Sequence, residues 1–73
     1  MKVKLGFIFS RKYDFVDPNT NKRMQGVSCR CLEFNSGKIV KVSTDVEIPA
    51  KFGEILEVNG VIYGDKIKYE YVA

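Results

Sequence analysis

Arg11 to Phe34, RKYDFVDPNTNKRMQGVSCRCLEF, reads as two long strands joined by a polar turn, and the rest of the chain reads as the body that holds them. The turn is Asp17-Pro18-Asn19-Thr20-Asn21, where Pro fixes φ and the short polar side chains can bond their own backbone. Lys22 and Arg23 open the return strand, which continues from Met24 to Phe34. On it Val27, Cys29 and Cys31 share one parity and Leu32 and Phe34 the other, a phase change that predicts a bulge or a transfer from arm to body near Cys31. Arg11 to Arg30 holds five of the twelve basic residues and two of the nine acids, which leaves seven of each elsewhere. The net charge of +3 therefore belongs to this arm.

Upstream, Val3, Leu5, Phe7 and Phe9 alternate with Lys2, Lys4, Gly6 and Ser10, the period of a half-buried strand, and only Ile8 breaks the alternation. Gly6 marks a bulge or a bend, and Phe7 and Phe9 are assigned to the core. The same parity runs on into Arg11, Tyr13 and Phe15, so the strand is expected to leave the body there. Downstream, Asn35-Ser36-Gly37 is a turn and Lys38 to Thr44 a strand. Pro49 bars a central strand position, and Pro49 to Phe52 offers at most one helical turn before Gly53. Asn59-Gly60 between Glu54–Val58 and Val61–Tyr63 is a hairpin signal, Gly64-Asp65 another turn, and Lys66 to Val72 a last alternating strand.

The sum is an all-β chain: a small antiparallel barrel of five to six strands with a protruding hairpin arm at about 11–30, one domain over 1–73. OB-like and SH3-like barrels both fit this strand count. Seventy-three residues bury a thin core. With no His and only two Cys, a tetrahedral zinc site is hard to assemble, and self-association as a symmetric dimer is the expected supplement. Cys29 and Cys31 point the same way along a strand, where a bond between them would be strained, so they read as small core residues. No 18-residue apolar stretch occurs, and the chain reads as soluble and cytoplasmic, with no membrane partner. Catalysis finds little support: His is absent, the nine acids are scattered, and no phosphate loop or metal spacing occurs, so no enzyme activity, metal or cofactor is expected.

A basic, aromatic hairpin on a neutral body suits a polyanion with stackable faces, which describes single-stranded nucleic acid. Arg11, Lys12, Lys22, Arg23 and Arg30 are the phosphate candidates. Tyr13 and Phe15 are the stacking candidates, with Phe34 and then Tyr63 behind them. For each basic residue the bland alternative is solvated surface, and for each aromatic it is core or rim packing.

The basic and aromatic hairpin around Lys22, Arg23 and Gly26, the segment Ile48-Pro49-Ala50 leading through Gly53 to Val58, and a late hairpin before the terminal strand resemble a known family. They are similar to the helix-destabilising single-stranded DNA-binding proteins of filamentous phages and their relatives on mobile elements. Asn21 stands where that family has a glycine, and it too tolerates a left-handed turn. The resemblance implies an OB-like barrel, a homodimer, and cooperative coating of single-stranded DNA with little sequence preference, in replication of a phage or mobile element within a bacterial host. Two other readings share the composition: a protein-interaction barrel acting as an accessory or inhibitory subunit, and a cold-shock-like barrel that binds RNA.

Overall fold

The computed structural model describes residues 1–72. Five strands, β1 (Lys2–Val16), β2 (Arg23–Leu32), β3 (Ile39–Ser43), β4 (Ile55–Tyr63) and β5 (Lys66–Glu70), close into a barrel in the order β1-β2-β3-β5-β4. Every ladder is antiparallel except the β3–β5 seam, which runs parallel for the two pairs Val42↔Tyr69 and Ser43↔Glu70. This order, with β1 shared between β2 and β4 and closure by a parallel seam, makes the fold a small OB-like barrel. Among the described residues no helix is long and apolar enough to cross a membrane.

β1 is long because it serves two partners. Lys2 to Gly6 pairs with β4, and Gly6 to Val16 pairs with β2. Gly6 is the point of transfer, opposite both Leu32 and Ile55, and its missing side chain lets the Phe34 ring lie across it. Alternation then fills the barrel: Leu5 and Phe7 meet Cys29, Cys31, Val42, Leu56, Val58 and Tyr69 inside. Fully covering a side chain such as Leu5 or Val58 contributes ~1.5–3 kcal/mol. The β3–β4 connection forms no helix and drops Ile48 into the core. There the Ile48 N–H donates to Ser10 Oγ at 2.8 Å.

Three expectations change. The irregularity lies opposite Cys31, in β1: register shifts between Phe7 and Phe9, so Ile8 is the extra residue and β2 runs without interruption. Long-range bonds flank the shift. The Phe7 N–H donates to the Glu54 carbonyl at 2.8 Å, and the Phe7 carbonyl accepts from Gly53 N–H at 2.9 Å. Those bonds tie Phe7 to the β3–β4 connection at the step where register with β2 shifts. In consequence Phe9, expected in the core, faces outward and is 38% exposed. Asn59-Gly60, expected as a hairpin, lies inside β4, where Asn59 pairs with Lys2 and Glu70, and Gly60 with Tyr69. Ladders on both sides of β4 override the local turn preference, and the chain reverses at Gly64-Asp65 instead.

Candidate nucleic-acid interface

Beyond the bulge, β1 and β2 leave the barrel as a two-stranded arm whose turn follows its local chemistry. The Asp17 carboxylate accepts the Asn19 N–H at 2.9 Å, and Asp17 and Lys22 close the loop with a backbone bond of 2.8 Å. Asn21 takes the left-handed conformation at φ 56, as its sequence position suggested.

A one-residue shift turns every later side chain to the other face of a strand. Without the Ile8 bulge, Arg11, Tyr13 and Phe15 would follow Leu5 and Phe7 inward. With it they lie on the outer face, paired with Ser28, Gly26 and Met24, and Phe9 pairs with Arg30. One strand further, Arg30 pairs with Lys41, so the row Phe9, Arg30, Lys41 runs across three strands. This outer face therefore carries Arg11, Arg30 and Lys41 among Phe9, Tyr13, Phe15 and Met24, and its paired positions include no acid.

Its aromatic rings are held in place. The phenol end of Tyr13 lies over Gly26 so closely that a Cβ there would come within 2.7 Å of the ring carbon Cζ. Any other residue at 26 would displace the ring. Tyr13 also meets Phe15 with centroids 6.0 Å apart, and the Arg11 guanidinium stands 5.8 Å from the Phe9 centroid. Tyr13 remains 42% exposed, which leaves surface on which a planar group could stack.

Of the sequence candidates, Arg11, Tyr13, Phe15 and Arg30 come together. Lys22 sits exposed in the turn near them along the arm. Lys12 and Arg23 face the other way, into a hollow of about 550 Å³ beneath the arm that Asp14 and Asp45 also line. There Arg23 donates to both carboxylate oxygens of Asp14, at 2.9 Å and 2.6 Å. That pairing holds the Asp14 carboxyl below its usual range and raises the guanidinium further. The hollow is thus a balanced surface, unlike the outer face. Phe34 stands apart, over Gly6 in an apolar groove of about 310 Å³ shared with Leu32, Ile39 and Phe52. Tyr63 lies on the β4–β5 hairpin, at a different cleft.

Sequence reasoning missed Phe9, Lys41 and Met24. Alternation along Ile39–Ser43 does put Lys41 outward, but only the pairing of β3 with β2 sets it beside Arg30. Cys29 and Cys31 are free thiols with no exposed surface. Burial, with Cys31 beside it, pushes Cys29 up to about 12, and burial likewise raises Cys31. Both are core groups, as their parity suggested.

Fold and site together define a small OB-like barrel with a basic, aromatic arm face. No family model, curated protein or solved structure matches this chain.

Proposed function

We propose that this protein binds single-stranded DNA with little sequence preference through the outer face of its arm. One observation carries the reading: the Ile8 bulge brings Arg11, Tyr13 and Phe15 onto the same exposed face as Phe9, Arg30 and Lys41, with no acid among the paired residues. Phosphates are neutralised by Arg11, Arg30, Lys41 and Lys22, and bases stack on Tyr13 and Phe15, each stacked base contributing ~1–3 kcal/mol. The resemblance to the filamentous-phage helix-destabilising proteins extends this to a homodimer that coats DNA cooperatively during replication of a phage or mobile element in a bacterial cytoplasm.

Titrating fluorescent oligo-dT against a duplex of equal length at two salt concentrations tests the reading. A preference for the single strand is expected, with log affinity falling against log salt at a slope of about −2 to −3 for three or four contacts of ~0.7 each. No such preference, or an affinity indifferent to salt, overturns it. An oligo-U titrated in parallel separates DNA from RNA, and sedimentation of the free protein reads the dimer. The rival reading, a protein-interaction barrel, draws on the exposed apolar groove where Phe52 is 80% exposed beside Phe34 and Ile39. Failure of every nucleic acid to bind favours it.

A further inference from the structure

The barrel is closed at the β3–β5 seam by two residue pairs, and the seam opens beyond them. Toward the start of both strands, Ile39 to Lys41 and Lys66 to Lys68 have no ladder pairing with each other. Each is already paired on its far side, with β2 and β4 respectively. Two strand edges therefore face one another across a cleft of about 650 Å³. Its lining combines Val40, Ile67 and Tyr69 with Lys41, Lys66 and Lys68.

Alternation separates these two sets. Tyr69 is buried and Val42 beside it is fully covered, so Val40 and Ile67 share their parity and form the floor. Lys41, Lys66 and Lys68 have the opposite parity and form the rim. The one acid in the lining, Glu33, is engaged: its carboxylate accepts the Tyr69 hydroxyl at 2.7 Å. Lys68 has an ion-pair partner in Glu70 at 3.6 Å, whereas Lys41 and Lys66 have none among the described residues.

We propose that this cleft is a binding site for an extended acidic peptide of a partner protein, taken up as an added strand between β3 and β5. Unpaired main-chain edges recognise another main chain, which nucleic acid cannot supply. Side chains of the added strand alternate. Apolar ones lie on Val40, Ile67 and Tyr69, and acidic ones point outward between the three lysines. The site reads a short pattern of alternating acidic and apolar residues. Charge complementarity at an exposed rim of this kind acts mainly on the rate of association and on salt dependence.

The probe is a seven-residue peptide, blocked at both ends, that alternates Asp or Glu with Val or Ile. Its binding is followed by amide chemical shifts of the full chain. Shifts are expected at 39–41 and 66–68, with affinity falling as salt rises. A peptide with Lys in place of the acids should show no binding, and one with Pro at its centre, which lacks an N–H, should bind at least ~10-fold more weakly. The double variant Lys66→Glu/Lys68→Glu should lose the acidic peptide and retain oligo-dT binding, because neither lysine lies on the arm face. Three results overturn the proposal: no binding of the acidic peptide, equal binding of the Pro peptide, or oligo-dT shifting the amides of 66–68, which lie off the arm face, and so making the cleft part of a nucleic-acid path.

Discussion

Gly26→Ala tests whether the arm face depends on the seating of Tyr13. A methyl at 26 would stand 2.7 Å from Tyr13 Cζ and closer still to the hydroxyl, so the ring must leave. Tyr13 is 42% exposed and therefore 58% covered. The phenol end lies over Gly26, and about half of that cover is taken as the contact with it. An aromatic side chain has ~150–250 Å² to bury, so swinging off exposes roughly 50–75 Å², which at ~25 cal/mol per Å² costs about 1–2 kcal/mol. Gly26 does not have a positive φ, so alanine also restricts the unfolded chain and returns ~0.4–1 kcal/mol. The net loss is about 0.5–1 kcal/mol, which lowers Tm by roughly 2–8 °C in a domain of this size. Thermal unfolding followed by circular dichroism reads it. The diagnostic is the background: in a Tyr13→Ala protein the clash is gone, and Gly26→Ala should then stabilise by ~0.4–1 kcal/mol. An equal loss in both backgrounds refutes the reasoning, because it would mean that alanine disturbs the strand and not the ring. Oligo-dT affinity should fall with the displaced ring at little change in salt slope, since stacking releases no counterions.

Asp14→Asn removes the partner of Arg23, and because the pair is exposed, stability should hardly change. If the freed guanidinium then meets phosphate, the salt slope of oligo-dT binding steepens by ~0.7, and an unchanged slope puts Arg23 outside the path of the strand. The Glu33–Tyr69 bond contributes between two pH limits. Accepting the Tyr69 hydroxyl, and then the bond from Ser36, holds the Glu33 pKa below 4.5, so this stabilisation is present above that pH and is lost as pH falls through the lower folded value. Tyr69 is pushed up to about 12 from 10.0, chiefly by the same bond, so its share is full below pH 10 and is lost as pH rises toward 12. Melting curves across pH should show Tyr69→Phe flattening both limbs, and limbs that stay as steep as in the unchanged protein contradict the assignment. Leu5→Ala, at a position with no exposed surface, should cost ~2–5 kcal/mol by urea unfolding, against a total of about 4–11 kcal/mol for 73 residues. A cost below ~1 kcal/mol would mean that the core repacks around the gap.

What could be read from the residues was whatever local chemistry decides. Asp17, Asn19 and Asn21 build the turn with bonds among themselves, and Leu5, Phe7, Cys29 and Cys31 are inward by simple alternation. The errors came from positions where two neighbours compete. Asn59-Gly60 has the strongest turn preference in the chain, yet it is paired on one side by β1 and on the other by β5. Two ladders outweigh a preference of one dipeptide. Ile8 does break the alternation of the first strand, but nothing local marks it as an extra residue, because the backbone that bonds to Phe7 beside it, Gly53 and Glu54, lies more than forty positions away. The parallel seam likewise depends on β3 meeting β5, which strand count alone left open.

These two kinds of feature differ in consequence. The arm's composition is a property of the sequence, but its polarity, meaning which side carries the rings and charges, is set by the bulge. Uninterrupted alternation from Val3 would have sent Arg11, Tyr13 and Phe15 to the inner side and Lys12 and Asp14 outside, while Arg23 and Arg30 keep their sides because β2 runs without interruption. The charge on the exposed face would then have been partly cancelled. By adding one residue before Phe9, β1 instead sets Arg11 beside Arg30 and Lys41 and turns Asp14 to the side of its partner Arg23. The face proposed to meet nucleic acid therefore owes Arg11, its rings and its freedom from Asp14 to one extra residue in β1 beside Phe7, at the opposite end of the arm from the turn.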